Sequence, residues 1–315
     1  MIGTPKRKLV AVADLKAAAV LVAGWLLTAA LPHSADEAAV AWLRRRWRRT
    51  QRQKTENLGR LIERAMPERF DSARALGVAQ EWFEQRAELT WGRLRGLHRS
   101  EWRVRIDLEG IGHVERALEQ GRGAVLWFFS LSDPVLMMRA LSSNGVPLSH
   151  LSFEAHGCPG KSHFGVATVA RLHRRTEDRY LRERVVMRDP RNPRHLKRLH
   201  KLLEANQVVT IRGDSPTTSP VPAKCLGIDY PFPGGAPSVA FRSRSPLLTG
   251  YVTRLGSAHY RVVIQEALAV EKKDRRDFIR TAVAEYARRL ERPLAANPEQ
   301  WEAWSWNEQL VQGQR

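Results

Sequence analysis

Three short stretches of this chain carry residue types that could do chemistry. The first is Ser130-Leu-Ser132-Asp133-Pro134, directly after the apolar run Ala124–Phe129. The second is Arg212-Gly-Asp214-Ser-Pro216, after the segment Gln207–Arg212. Each sets an aspartate just past a buried strand, where a carboxylate can orient a base or bind a polar headgroup; it can equally cap the turn or helix that follows. The third is the Gly/Pro-punctuated run His156-Gly-Cys-Pro-Gly-Lys-Ser-His163. Its imidazoles could serve as general bases, and Cys158 between them as an acyl-carrying nucleophile; the alternative is a pair of solvated loop histidines. The two cysteines, Cys158 and Cys225, are too few for a disulfide framework and match no metal spacing, so both read as reduced thiols.

The elements that must position these loops follow from periodicity. Trp102, Val104, Ile106 and Leu108 alternate with polar residues as a half-buried strand does. Ala124–Phe129 is continuously apolar, as in a buried parallel strand. Further strands are expected at 146–153, 207–212, 228–232, 246–253 and 259–266. Helices are expected at 111–120, 135–141, 164–183, 193–205 and 236–244, with a late amphipathic one through Phe278, Val283, Tyr286 and Leu290. Strands alternating with helices predict an α/β fold, a mainly parallel mixed sheet flanked by helices. In such sheets ligands bind outside the carboxyl ends of the strands, where all three stretches fall.

Upstream, one helix is expected from a cap at Ser34 or Asp36 through Trp42, Trp47 and Leu58 to Ile62, and a second from Asp71-Ser72 through Trp82 to Leu94. The division read from this pattern is an apolar N-terminal segment at 1–33, a basic helical cap at 34–100 and the α/β domain at 101–315. The apolar segment holds fifteen uncharged residues between Lys16 and Pro32, short of the ~20 that span a bilayer comfortably. A signal peptide has a similar layout, but residues 44–54, densely basic with no acid, favour an uncleaved cytoplasm-facing anchor, spanning or lying in the interface. The formal net charge of +19 requires a polyanionic partner. Zinc-finger spacings, aromatic RNA-binding motifs and basic zippers are missing, so an anionic membrane surface is expected rather than nucleic acid.

Taken in order, these features resemble the bacterial lipid A late acyltransferases, the lauroyl and myristoyl transferases of the lysophospholipid acyltransferase superfamily. The resemblance runs through Gly110-Ile-Gly-His-Val-Glu115, Gly121-Arg-Gly-Ala-Val-Leu126 and Ile211-Arg-Gly-Asp214. It continues through Phe232, Gly235-Ala236 and Ala240 to Asn297-Pro-Glu-Gln-Trp301. It implies transfer of a fatty acyl group from acyl carrier protein or acyl-CoA to a lipid acceptor hydroxyl, at the cytoplasmic face of the bacterial inner membrane. It also implies a histidine base followed five residues later by an acid, and no metal or organic cofactor. Here the residue five before Asp133 is Phe128, and alignment by strand length puts Ser130 at the histidine and Val135 at the acid. The pair is incomplete either way. Two readings follow: an acyltransferase whose base is relocated to His156 or His163 beside Asp133, with Ser130, Ser132, Arg212 and Asp214 binding substrate; or an inactive homologue that binds lipid, acyl chains or a membrane partner.

Overall fold

The computed structural model describes residues 7–98, 102–189, 192–215, 217, 219–271 and 274–305. Four helices come first: α1 (Val12–Ala30), α2 (Asp36–Thr50), α3 (Arg52–Ala65) and α4 (Ser72–Gly96). Then follow β1 (Arg105–Glu109), α5 (Ile111–Glu119), β2 (Ala124–Phe129), α6 (Pro134–Ser143) and β3 (Leu148–Phe153). The short α7 (His163–Gly165) runs through one π turn into α8 (Arg171–Asp178), succeeded by β4 (Glu183–Met187), α9 (Arg194–Glu204) and β5 (Val208–Arg212). The hairpin β6 (Pro220–Cys225) and β7 (Ile228–Pro233) precedes α10 (Gly235–Ser243), β8 (Leu247–Gly256), β9 (His259–Gln265) and α11 (Arg275–Ala296).

Among the described residues, seven strands form one sheet in the order β1-β9-β8-β2-β5-β3-β4. Neighbours are parallel except β8 and β9, which are antiparallel. The sheet is therefore α/β, mainly parallel and mixed, with helices on both faces. All six residues of β2 are buried. Because successive side chains point to opposite faces, Val125, Trp127 and Phe129 enter the core beneath α11, while Ala124, Leu126 and Phe128 join α5 and α6 on the other side. Trp127 stacks on Tyr286 of α11 with ring centroids 3.7 Å apart. Gly213, just past β5, is the residue this stacking requires: a Cβ there would lie 1.7 Å from the Tyr286 hydroxyl.

Three sequence expectations are corrected. The single helix from Ser34 or Asp36 to Ile62 breaks at Gln51 into α2 and α3. The break lets both halves pack on α4; one straight helix would carry Leu58 and Ile62 away from it. Asp36 does not cap, since its carboxylate takes the Trp91 and Arg95 side chains instead. The helix expected over 164–183 stops at Asp178, and Glu183–Met187 becomes the edge strand β4. The strand near 228–232 lies outside the main sheet, because it pairs with β6 in a hairpin that no alternation announced.

Helix α4 positions the site more than any other upstream element. Asp71 caps it, accepting from the Arg74 N–H at 2.7 Å, and it runs 25 residues, about 37 Å, across the carboxyl ends of the sheet. Glu88 on its inner face is 2% exposed, with Arg44, Arg254, the Tyr260 hydroxyl and the Ala258 N–H all bound to it.

Candidate active site

The loop after β2 is buried to its side chains. Ser130 is fully buried, its hydroxyl donating to Asp214 Oδ1 at 2.8 Å and its N–H to Oδ2 at 3.2 Å. The Trp301 indole donates to the same Oδ2 at 3.0 Å. Burial pushes the Asp214 carboxyl up, Arg212 and these bonds opposing it. Asp133 caps α6 by accepting the Val135 N–H at 3.1 Å, and its other oxygen takes Arg93 Nε of α4 at 3.0 Å. The Arg93 guanidinium is pushed further up by that carboxylate. Ser132 is buried in the same loop.

A third carboxylate closes the group. Glu302 meets Arg212 at 2.6 Å and Arg86 of α4 at 3.2 Å, and its N–H donates to the Ser130 carbonyl at 2.8 Å. Burial would raise its carboxyl, but Arg212, Arg86 and Arg93 outweigh that and hold it at about 2. The cavity reaching Asp133 between α4, α6 and α8 measures about 40 Å³, room for a water or two.

The loop after β3 is built differently. His156 Nε2 lies 2.8 Å from Glu177 Oε1 on α8, and the other Glu177 oxygen takes Arg184 of β4 at 2.6 Å. Burial would raise the Glu177 carboxyl, but His156 and Arg184 hold it well below the usual range. An ionised carboxylate only accepts, so Nε2 donates to Glu177 and Nδ1 is the ring nitrogen left facing away from it. Among the described residues no hydrogen bond engages Nδ1, and the His156 side chain is 31% exposed. Gly157 makes this turn possible: its φ is +71, and a Cβ would come within 2.6 Å of the His173 ring. Burial holds His173 down at about 4 and His150, bound to Thr210, at about 3, so both are neutral near pH 7.

The sequence-derived site is thus brought together in part. Ser130 and Asp214 meet, Arg212 joins them through Glu302, and Asp133 sits in the same loop. Neither imidazole bonds to Asp133, whose oxygens serve Arg93 and the α6 terminus. His163 stands exposed at the start of α7, its N–H donating to the Lys8 carbonyl. Cys158 is buried, and burial with the adjacent Asp14 carboxylate raises its thiol, the opposite of a nucleophile's need. Among the described residues no three His, Cys, Asp or Glu side chains converge as metal ligands.

Sequence reasoning missed Arg86, Arg93, Glu177 and Glu302. The one available signal was Trp301 in the Asn-Pro-Glu-Gln-Trp ending, next to Glu302. No protein-family model and no curated protein sequence matches this chain.

Proposed function

We propose that this chain is a membrane-surface acyltransferase whose base has moved from the β2 loop to His156. The observation that carries the reading is the His156–Glu177 pair: an imidazole with one nitrogen fixed by an ionised carboxylate and the other open, at the carboxyl edge of a mainly parallel sheet.

In this reading His156 Nδ1 takes the proton of a lipid hydroxyl as its oxygen attacks the thioester carbonyl of acyl carrier protein or acyl-CoA. The new C–O bond forms, the C–S bond breaks, and the proton passes from the imidazolium to the departing thiolate. Glu177 orients the ring and stabilises the imidazolium, and Arg184 keeps Glu177 ionised. The location belongs to the same reading: the cytoplasmic face of a bacterial inner membrane, with the lipid acceptor drawn from it.

The test is transfer of labelled acyl groups from either donor to membrane lipid by the purified protein. Transfer should be lost in His156→Ala and kept in His163→Ala; wild-type turnover by His156→Ala would place the base elsewhere. One observation favours a second reading, a non-catalytic homologue that binds lipid or a membrane partner. Helix α4 is tied across the strand ends through Arg93, Arg86 and Glu88, over the crevice where α/β folds bind ligands. Absence of transfer by the wild-type protein from both donors would select it.

A further inference from the structure

Helix α1 is long and apolar enough to cross a bilayer by length and composition. Its docking, however, runs along its whole length. At one end Asp14 is buried and accepts the Gly160 N–H at 2.6 Å, the Ser162 N–H at 2.9 Å, the Ser162 hydroxyl at 2.5 Å and the Cys158 thiol at 3.2 Å. In the middle Gly24 lies against Leu94 of α4, where a Cβ would come within 2.6 Å. At the other end the Thr28 hydroxyl meets His98 at 2.8 Å, and Arg95 holds the carbonyls of Thr28, Leu31 and Pro32. Asp14, Ala17, Leu21, Gly24 and Thr28 fall at helical spacing, so one stripe of a helix about 28 Å long rests on the domain.

Apart from Lys16 and Trp25, which stacks on His98, the rest of α1 is apolar and largely exposed. Val12, Leu15, Val20, Val22, Leu26 and Leu27 are each 46–66% exposed. A face of this kind marks an interaction surface. Charge identifies its occupant. Helix α2, which begins six residues after α1 ends, carries exposed Arg45, Arg46 and Arg49; among the described residues none of these meets an acid, and with exposed Trp42 they line an open hollow of about 200 Å³. Arginines and an indole around a hollow of that size suit the phosphate headgroups and interface of an anionic bilayer.

We infer that α1 lies in the plane of an anionic membrane, as a monotopic seat, and does not cross it. A crossing α1 would carry the elements docked along it into the hydrocarbon. These include the end of α4 with Arg93 and Arg95, and the π turn that leads into α8 (Arg171–Asp178), which bears three arginines. An in-plane α1 buries its bare face and leaves those charges in water. The inference concerns how the chain is held and does not rest on acyl transfer.

The test uses the full chain with sealed vesicles of phosphatidylcholine, alone or in equal parts with phosphatidylglycerol. Flotation should show binding favoured by phosphatidylglycerol. Replacing Arg45, Arg46 and Arg49 together by Gln should weaken that preference about a hundredfold, roughly fivefold per arginine. Val22→Glu with Leu26→Glu should remove binding to both compositions at an unchanged thermal midpoint. Topology is read separately from Val10→Cys and Ser34→Cys with a membrane-impermeant maleimide, since the native cysteines are buried. Both positions should label from outside without detergent. Labelling of only one until detergent is added would overturn the inference, as would a soluble dimer that the glutamate pair dissociates and that ignores vesicles.

Discussion

Two neighbouring loops at the carboxyl edge of the sheet hold acids and polar groups, and they spend them in opposite ways. Under α4, the acids Asp133, Asp214 and Glu302 are each committed to internal partners: Arg93 and a helix terminus, Ser130 and Trp301, Arg86 and Arg212. At the margin of α4, the Glu177 carboxylate is equally committed, but to an imidazole that stays half-buried with one nitrogen open. The first arrangement fixes structure; the second leaves an imidazole nitrogen open. In the proposed reading, reactivity at this edge is decided by which group keeps an open nitrogen, and that group lies in the loop after β3, not in the loop after β2.

The widest gap between the two loops should appear in turnover. His156→Ala is expected to lower the acyl-transfer rate by about 10²–10⁴-fold, the range for losing a general base, with little change in stability. Asp133→Asn should do the reverse, keeping most of the rate and weakening the Arg93 contact. Single-turnover rates and urea midpoints measured on both variants decide the matter. Equal rate losses in the two would erase the distinction.

Next comes the stability of the region under α4. Glu302→Ala leaves the partly buried Arg86 and Arg212 without their shared counter-charge, and should cost about 2–3 kcal/mol in urea unfolding. A loss no larger than that of an exposed residue would show that solvent reaches the cluster.

The same carboxylate sets an acid limit. Its folded value of about 2 lies below the ordinary 4.5, so its contribution is complete above the unfolded value and is lost as pH falls from about 4.5 toward 2. A shift of that size corresponds to roughly 3 kcal/mol. Urea midpoints of wild type should therefore fall more steeply through this window than those of Glu302→Gln. Parallel curves would assign the acid sensitivity to other carboxylates.

What the sequence disclosed follows the range of each interaction. The strand Ala124–Phe129, the cap at Asp71 and the apolar stripe of α11 depend on neighbours a few residues away, and their patterns state them directly. The capping role of Asp133 was equally local, since Asp-Pro before an apolar run announces a helix start. The strand β4 was hidden because an edge strand of five residues beside a charged helix gives too short an alternation. The ion pairs of the site were hidden for another reason. Arg86 and Glu302 lie 216 residues apart, and Ser130 and Asp214 lie 84 apart, so no spacing rule connects them. Strand periodicity located the edge and its loops, while the partner of His156 emerged only when α8 brought Glu177 beside it.

The smallest expected effect tests how completely the region under α4 is satisfied. Ser130→Ala removes one hydroxyl from Asp214 but leaves the Ser130 N–H and the Trp301 indole in place, so the cost should be only about 1–2 kcal/mol. Its pH dependence carries more information than its size. Burial already pushes the Asp214 carboxyl up, and the Ser130 hydroxyl is one of the groups that oppose this. Removing it raises the folded value further, which penalises the ionised folded state and leaves the protonated one less affected. The deficit should therefore be smallest while Asp214 is protonated in the folded state and grow as pH rises through its folded value, which lies above the ordinary 3.8. A deficit that is flat or shrinks with pH would mean that Asp214 is not ionised in the folded protein at neutral pH. Its bond with Ser130 would then be a neutral contact between two hydroxyl-bearing groups, and the contrast between a spent loop and an open one would rest on Asp133 and Glu302 alone.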